Sequence, residues 1–366
     1  MRTRPRRSTR PPATASAPTL ASLFFHDRSP APGARLGPYR IGDKLGEGGT
    51  SVVYRAEHTL LARDVAIKVL LPEHASRGDV VTRFLHEGRA LSRLHHPGIV
   101  QIMDLGRDAT GAPYLVMELL TGESMSRRLA RLGPYDLLDC VRLLRPVCAA
   151  LAVAHAAQLV HRDLKPDNLV LVPDPSAPTG VRAKIIDFGI AKSTAEHRDG
   201  PETAAGALIG TPWYMSPEQC RGGEPIDPRS DIYALGCVMF AMLTGHPPFQ
   251  ATWPGEAIAA HLREPPPRVS SQVASLGGRV DAVLDKCLQK HPTDRFQSCA
   301  ELEQELAALA ESLTAPPAEV AGRPLTDGDD GAAAAPRRPA LAPAAVSSSR
   351  DPASAIAARP HPRVAG

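Results

Sequence analysis

One stretch of eight residues, His161-Arg162-Asp163-Leu164-Lys165-Pro166-Asp167-Asn168, constrains this chain more than any other. It crowds a histidine, two carboxylates, two cations and an amide into a short loop, a density of charge that solubility does not require. Asp187-Phe188-Gly189 follows it. Together the two runs offer Asn168 and Asp187 as oxygen ligands for magnesium, an ion that takes few protein ligands and completes its shell with phosphate oxygens.

Upstream, Gly46-Glu47-Gly48-Gly49-Thr50-Ser51-Val52-Val53 lies between two strand-like runs, where glycines let backbone N–H groups approach a polyphosphate without side-chain collision. A glycine-rich hairpin with no ligand has the same look. A strand followed by a helix indicates a dinucleotide fold, whereas strand, turn, strand indicates a flap over phosphates. Val65-Ala66-Ile67-Lys68 sets a lysine in an apolar strand, and an inward-facing ammonium needs an anion. Glu87, on the helix that follows, is one partner and a phosphate a second; a solvent-facing edge lysine beside a surface glutamate is the bland alternative.

Around these motifs the first third reads as strands at Val52 to Tyr54, Val65 to Leu70, Ile99 to Met103 and Tyr114 to Met117. A helix from Asp79, its expected N-cap, to Leu94 repeats Phe84, Leu91 and Leu94 at helical spacing, with Gly88 inside it as either a mobility device or a packing need. The later part is mainly helical. Leu137, Val141, Leu144, Cys148 and Leu151 form one apolar stripe between Asp136 and Ala157, with Pro146 predicting a kink or irregularity. Further helical patterns run over Ser230–Thr244, Val280–Lys290 and Ala300–Leu313.

Composition limits the remaining classes. The 37 prolines crowd towards the ends, so residues 1–36 and 314–366 read as disordered tails around one folded unit. The formal charge of +3 owes much to Arg2, Arg4, Arg6, Arg7 and Arg10; the rest of the chain is near neutral and gives no electrostatic ground for nucleic-acid binding by the folded part. The arginine run reads as a solvated tail, with an organelle transit peptide as the minor alternative. Six cysteines without a C-x-x-C pair argue for free thiols in a reducing compartment over zinc or disulfides. No window reaches the roughly 18 apolar residues of a membrane span, so a cytoplasmic protein is expected.

The glycine-rich loop, VAIK, the helix glutamate, HRDLKPDN, DFG and then Ser216-Pro217-Glu218 stand in protein-kinase order over residues 39 to 311. In these motifs the chain resembles the eukaryotic-type (Hanks-type) protein serine/threonine kinases, most of all their bacterial branch, through Gly-Glu-Gly-Gly at the flap, the SPEQ run and the short helix before Asp231, while Lys165 two residues after Asp163 resembles serine/threonine rather than tyrosine kinases. The resemblance implies an α+β, two-lobed protein kinase fold: a small antiparallel-sheet lobe with one helix over residues 37–119, and a larger, mainly helical lobe over 120–313. It implies ATP and Mg2+ as cofactors and proteins as substrates, with a homodimer for trans-autophosphorylation as a further partner.

Carried over by resemblance, Lys68 holds the α- and β-phosphates while paired with Glu87, and Asn168 with Asp187 holds the metal. Asp163 orients the substrate hydroxyl and accepts its proton, while Lys165 neutralises charge on the moving phosphoryl group. Leu45, Gly46, Glu47, Gly48, Gly49, Thr50 and Ser51 cover the nucleotide. Val53, Ala66 and Val170 sandwich the adenine, Met117 guards the back of its pocket, and the backbone of Glu118 and Leu120 hydrogen-bonds the base. His161, Phe188, Leu91 and Ile102 correspond to the apolar column of active kinases with Asp231 at its base, and Glu218 to the acid that pairs with a late arginine, here Arg295. Two positions depart from the pattern: Ser51 stands for the third flap glycine and Ser216 for the first residue of APE. Neither removes a phosphate or metal ligand. Arg162 beside Asp163 resembles kinases switched on by activation-loop phosphorylation, with Thr203 the first acceptor, Ser193 and Thr194 behind it, and Thr211 a substrate-positioning residue. Retention of Lys68, Asp163, Asn168 and Asp187 argues against a catalytically dead scaffold, and the Gly210–Glu218 peptide-docking run against a small-molecule kinase.

Overall fold

The computed structural model describes residues 30–189 and 212–314. Runs in which apolar side chains recur at every second position pair into an antiparallel sheet, because period-two alternation buries one face at a time. Strands β1 (Arg35–Leu36), β2 (Tyr39–Glu47), β3 (Ser51–His58), β4 (Arg63–Leu70), β5 (Ile102–Arg107) and β6 (Pro113–Glu118) lie in the order β1-β2-β3-β4-β6-β5. β4 is covered on both faces: Val65, Ile67 and Val69 join an outer cluster with Tyr39, Tyr54 and Tyr114, while Ala66 and Leu70 join the main core.

Residues before position 37 take part in the described fold. Leu36 is buried in the outer cluster and pairs with Tyr39, and the Gly33 N–H donates to the Ile41 carbonyl at 2.7 Å. Burial of that one leucine gives the short strand a reason to form.

Helices α1 (Pro72–Ala75) and α2 (Gly78–Leu91) follow β4. Asp79 is not the N-cap of α2; Arg77 is, and Asp79 sits in the first turn. There its carboxylate meets Arg77 at 3.2 Å and Arg83 at 2.7 Å and complements the positive helix end. Gly88 lies close against the sheet: a Cβ there would come 3.1 Å from the Cδ1 atoms of both Leu105 and Leu115, leucine tips that would have to shift slightly to admit it. The strand expected at Ile99 begins at Ile102, because the residues before it bond elsewhere. The Val100 N–H donates to the Ile185 carbonyl at 3.0 Å, and the Ile185 N–H to the Gly98 carbonyl at 2.8 Å.

Ile185 ends β9 (Val181–Ile185), which with β7 (Glu123–Ser124) and β8 (Leu169–Pro173) forms a second sheet in the order β7-β8-β9. The rest is helical: α3 (Met125–Leu132), α4 (Leu137–Ala156), α5 (Pro217–Arg221), α6 (Pro228–Thr244), α7 (Pro254–Arg263), α8 (Gly278–Cys287) and α9 (Cys299–Thr314). α6 is buried without a break from Ser230 to Leu243, as expected of a central helix apolar on all sides. α4 runs through Pro146 as one helix. Its buried face, from Cys140 to Ala154, supplies the packing that offsets one missing backbone bond. The described residues hold six free cysteines, and no helix among them is long and apolar enough to cross a membrane.

Candidate active site

The charged loop hangs from α6. Asp231, fully buried, accepts the backbone N–H groups of His161 at 2.8 Å and Arg162 at 2.9 Å, and its Oδ2 also meets His155 Nε2 at 2.8 Å. Held this way, Arg162 adopts φ +63° and Asp187 φ +53°, conformations that cost non-glycine residues on the order of 1–3 kcal/mol. His161 works as a strut. Its Nδ1 accepts from the Asp163 N–H at 3.2 Å, its Nε2 donates to the Ile186 carbonyl at 3.0 Å, and burial holds its pKa below the usual imidazole value. Its ring lies 4.8 Å from that of Phe188, and Leu91, Ile102 and Phe188 share the main core. The Gly189 N–H donates to the His161 carbonyl at 2.8 Å, and a Cβ at Gly189 would come within 2.9 Å of that oxygen.

These struts fix the polar groups. Asn168 donates through Nδ2 to the Asp163 carbonyl at 2.8 Å and to its carboxylate at 3.3 Å, so the amide aims the carboxylate. Lys165 Nζ stands 3.4 Å from Asp163 Oδ2. The Asn168 carbonyl accepts the Ile186 N–H at 2.9 Å, which binds the loop to the segment carrying Asp187. From the other lobe, Lys68 Nζ reaches Asp187 Oδ1 at 2.8 Å. Lys68, Asp163, Lys165, Asn168 and Asp187 therefore meet in one cleft.

Glu87 does not join that pair as expected. Lys68 has its ion pair with Asp187, and none is present with Glu87. Burial alone would raise the Asp187 carboxyl, but the Lys68 ammonium outweighs it and holds Asp187 below the usual carboxylate range. Burial instead lifts Glu87 to about 7, opposed by Arg162, Arg83 and Lys68 in that order of strength. A carboxyl half neutral at neutral pH competes poorly for the ammonium against a fully ionised one. Glu87 and Arg162 share a cavity of about 60 Å³ with Leu91 and Phe188.

The roof is β2, β3 and the turn between them, which carry Leu45 to Ser51. The Gly48 N–H donates to the Ser51 carbonyl at 2.8 Å, and Ser51 is buried. A Cβ at Gly46 would meet nothing within 4 Å, and its backbone lies outside the left-handed region, so neither packing nor conformation requires glycine there. An open cradle of this kind fits a phosphate chain. Deeper in, Ala66 pairs with Met117 and Val53 with Lys68 across the sheet, and Val53 and Leu120 are partly buried against the main core. Val170, on β8, pairs with Lys184. The Glu118 N–H is given to the Gln101 carbonyl at 3.0 Å, which leaves a base the Glu118 carbonyl and the Leu120 backbone. Among the described residues no cluster of three or more His, Cys, Asp or Glu can hold a metal. Asp187 and the Asn168 amide oxygen fit magnesium, whose other ligands are phosphate and water oxygens.

Several working residues escaped the reading of the motifs. Lys184 Nζ pairs with Glu118 Oε1 at 2.6 Å, and the same oxygen accepts the Gln101 N–H at 2.8 Å, clamping the connection between the lobes. Strand alternation carries the signal: with Ala183 and Ile185 buried, Lys184 falls on the opposite face. Gln219 Nε2 donates to the Arg162 carbonyl at 2.8 Å, and Ser126 Oγ to Asp167 at 2.7 Å. Ser216 has a local reason, since it caps α5 in a reciprocal capping box with Gln219. Glu218 accepts from both Nη1 and Nη2 of Arg295, at 2.7 and 2.8 Å. Thr203, Ser193, Thr194 and Thr211 lie outside the described residues.

The family described as protein kinase domain matches residues 39–306. PknB of Mycobacterium tuberculosis, a serine/threonine-protein kinase, is 38% identical over 274 residues, 74% of this chain and 42% of that protein. Pkn1 of Myxococcus xanthus, also a serine/threonine-protein kinase, is 39% identical over 318 residues, 82% of this chain and 44% of its own length. The chain thus spans less than half the length of these two relatives. Among solved structures, the M. tuberculosis PknI kinase domain is similar with a TM-score of 0.60 and 27% identity, covering 76% of this chain and 98% of that one.

Proposed function

The chain belongs to the protein kinase domain family, and from that premise we propose that it moves the γ-phosphate of ATP to serine and threonine hydroxyls of proteins. What carries the reading is the meeting of Lys68 with Asp187 at 2.8 Å above the loop that bears Asp163 and Asn168. Asn168 and Asp187 would hold magnesium, which when bound draws charge from the phosphate oxygens. Lys68 would then bind the α- and β-phosphates in place of the carboxylate it now meets. Asp163, aimed by Asn168, orients the acceptor hydroxyl and takes its proton, and in a loose transition state its main service is orientation. Lys165 lies beside it to offset charge on the group in transit.

Regulation by activation-loop phosphorylation belongs to the same proposal, with Thr203 as acceptor. A phosphate there adds about −1.5 to −2 charges. Drawn to Arg162, it would weaken that residue's hold on Glu87 and let α2 bring Glu87 to Lys68. Trans-autophosphorylation within a homodimer would set the modification, and the free thiols suit a reducing, cytoplasmic setting. Fractionation of host cells tests the setting, and a rate that rises with the square of enzyme concentration tests the dimer.

The deciding experiment incubates the full chain with labelled ATP, magnesium and a generic protein substrate, beside Asp163→Asn and Thr203→Ala. Asp163→Asn is expected to lose about 100-fold or more. Absence of transfer by the unaltered chain would end the enzyme reading. Full activity in both Thr203→Ala and phosphatase-treated protein would remove the regulatory part alone.

A further inference from the structure

Beneath α7 lies one donor that the fold leaves unused. His261, fully buried on that helix, has its ring 4.9 Å from that of Phe249 and 5.6 Å from that of Tyr233 on α6. Tyr233 Oη and His261 Nδ1 are 2.8 Å apart, and burial holds the phenol well above its usual pKa, so the hydroxyl donates and Nδ1 accepts. Burial, with Lys290 behind it, pushes the imidazole down to about 4, so the ring is neutral and its one proton sits on Nε2. Among the described residues that N–H has no hydrogen-bond partner. Buried donors seldom stay unpaired without a reason.

The acceptor nearest to hand belongs to the single-turn helix Pro212–Tyr214, against which α7 packs. The backbone of Trp213, and after it that of Pro212, favours the charged form of the ring, as a neighbouring carbonyl does. The Pro212 carbonyl already accepts the Met215 N–H at 3.2 Å, which leaves that of Trp213. This turn is fastened on two sides. Trp213 Nε1 donates to the Ala251 carbonyl at 3.2 Å, just ahead of α7, and α5 reaches the catalytic loop through Gln219 Nε2 and the Arg162 carbonyl at 2.8 Å. The turn thus stands between α7 and the loop that bears Asp163, within the run whose sequence points to peptide docking.

We propose that His261 is a positioning residue for the acceptor protein: its Nε2–H takes the Trp213 carbonyl when a substrate segment seats on the Pro212–Tyr214 turn, and Tyr233 keeps the proton on Nε2 for that bond. The unpaired donor is satisfied only in the loaded form, so the pairing favours the protein substrate and not the nucleotide. The proposal rests on the protein-substrate reading above, and two of its three measurements use no nucleotide, so the two can fail separately.

The first measurement is steady-state kinetics of the full chain with ATP, magnesium and a tryptophan-free histone. The KM for histone should rise about five-fold in His261→Leu and about three-fold in Tyr233→Phe, with kcat and the KM for ATP within about two-fold. His261→Gln keeps a side-chain N–H and should recover most of that rise. The second follows the emission of Trp213, made the lone tryptophan by Trp253→Phe, as histone is added without nucleotide. That emission should shift saturably, and should need about five-fold more histone in His261→Leu. The third is nitrogen–proton NMR of the histidine rings, which should find the His261 proton on Nε2 in the unaltered chain and shared between both nitrogens in Tyr233→Phe. Tyr233→Phe carries the test if His261→Leu does not fold. The proposal is overturned if both variants keep the histone KM of the unaltered chain, if the KM for ATP rises equally, if Trp213 emission ignores histone, or if the ring proton lies on Nδ1. Absence of transfer by the unaltered chain would defeat the enzyme reading and leave Trp213 emission and the ring proton to decide the role of His261.

Discussion

Two glutamates, one in each lobe, meet burial in opposite ways. Glu218 lies 2% exposed under α6, where Arg295 gives it two hydrogen bonds and Ser230 a third at 2.6 Å. Burial would raise its pKa, but those bonds hold it below the usual carboxylate value. Glu87, on α2, has no such partner among the described residues, and burial wins. The helical lobe has therefore satisfied its buried charge and locked the result into its frame. The sheet lobe holds a carboxyl that two arginines and a lysine attract without outweighing its burial.

The largest expected effect tests the locked side. Arg295→Ala leaves Glu218 buried without its guanidinium and should destabilise the fold by about 3–5 kcal/mol in urea unfolding. A loss under about 1 kcal/mol would break the contrast at its stronger end.

Next comes a difference in sign with pH. The folded pKa of Glu87 lies above its ordinary 4.5, so its contribution to stability is full below that value and is lost as pH rises through about 7. Glu87→Gln removes that loss and should be the more stable protein at pH 8, by on the order of 1–3 kcal/mol, and about equal at pH 4.5. Glu218, held low, contributes stability above its unfolded pKa and loses it as pH falls through its folded one. Urea midpoints from pH 4.5 to 8 read out the Glu87 slope, and a flat difference between the two proteins would place Glu87 with Glu218.

The smallest effect concerns two helix glycines. A Cβ at Gly236 would fall 2.6 Å from Cys287 Cβ, which sits on a packed helix, whereas at Gly88 the neighbours are leucine tips at 3.1 Å. Gly236→Ala should cost about 1–3 kcal/mol by overpacking. Gly88→Ala should stay within about 1 kcal/mol of neutral, its better helix propensity offsetting the squeeze. Thermal melts of the pair sharpen the comparison; equal losses would mean that the sheet lobe is packed as rigidly as the helical one.

Much of this was readable from residue order. Asp163, Asn168 and Asp187 sit in short loops whose composition has no purpose without a cleft, and the apolar periodicities of α4 and α6 announce a helical block. The partner of Lys68 was harder, since a motif names the groups that can meet but not which of two carboxylates wins once burial has shifted one of them. The start of β5 was hidden because Val100 bonds to Ile185, far along the chain, and period-two patterning cannot see a backbone partner. Asp79 misled because an acid near a helix start serves equally well within the first turn as at the cap.

The two backbone hydrogen bonds that fasten Ile185 to Gly98 and Val100 have a mechanical consequence. They act as a pivot pin, and in any rocking of one lobe over the other, displacement grows with distance from the pin. In such a rocking Asp187, two residues from the pin, would be displaced little, and the glycine turn between β2 and β3, which lies off the pin, would move further. A phosphate chain passing beneath that turn would then leave undisturbed the carboxylate on which the metal would rest.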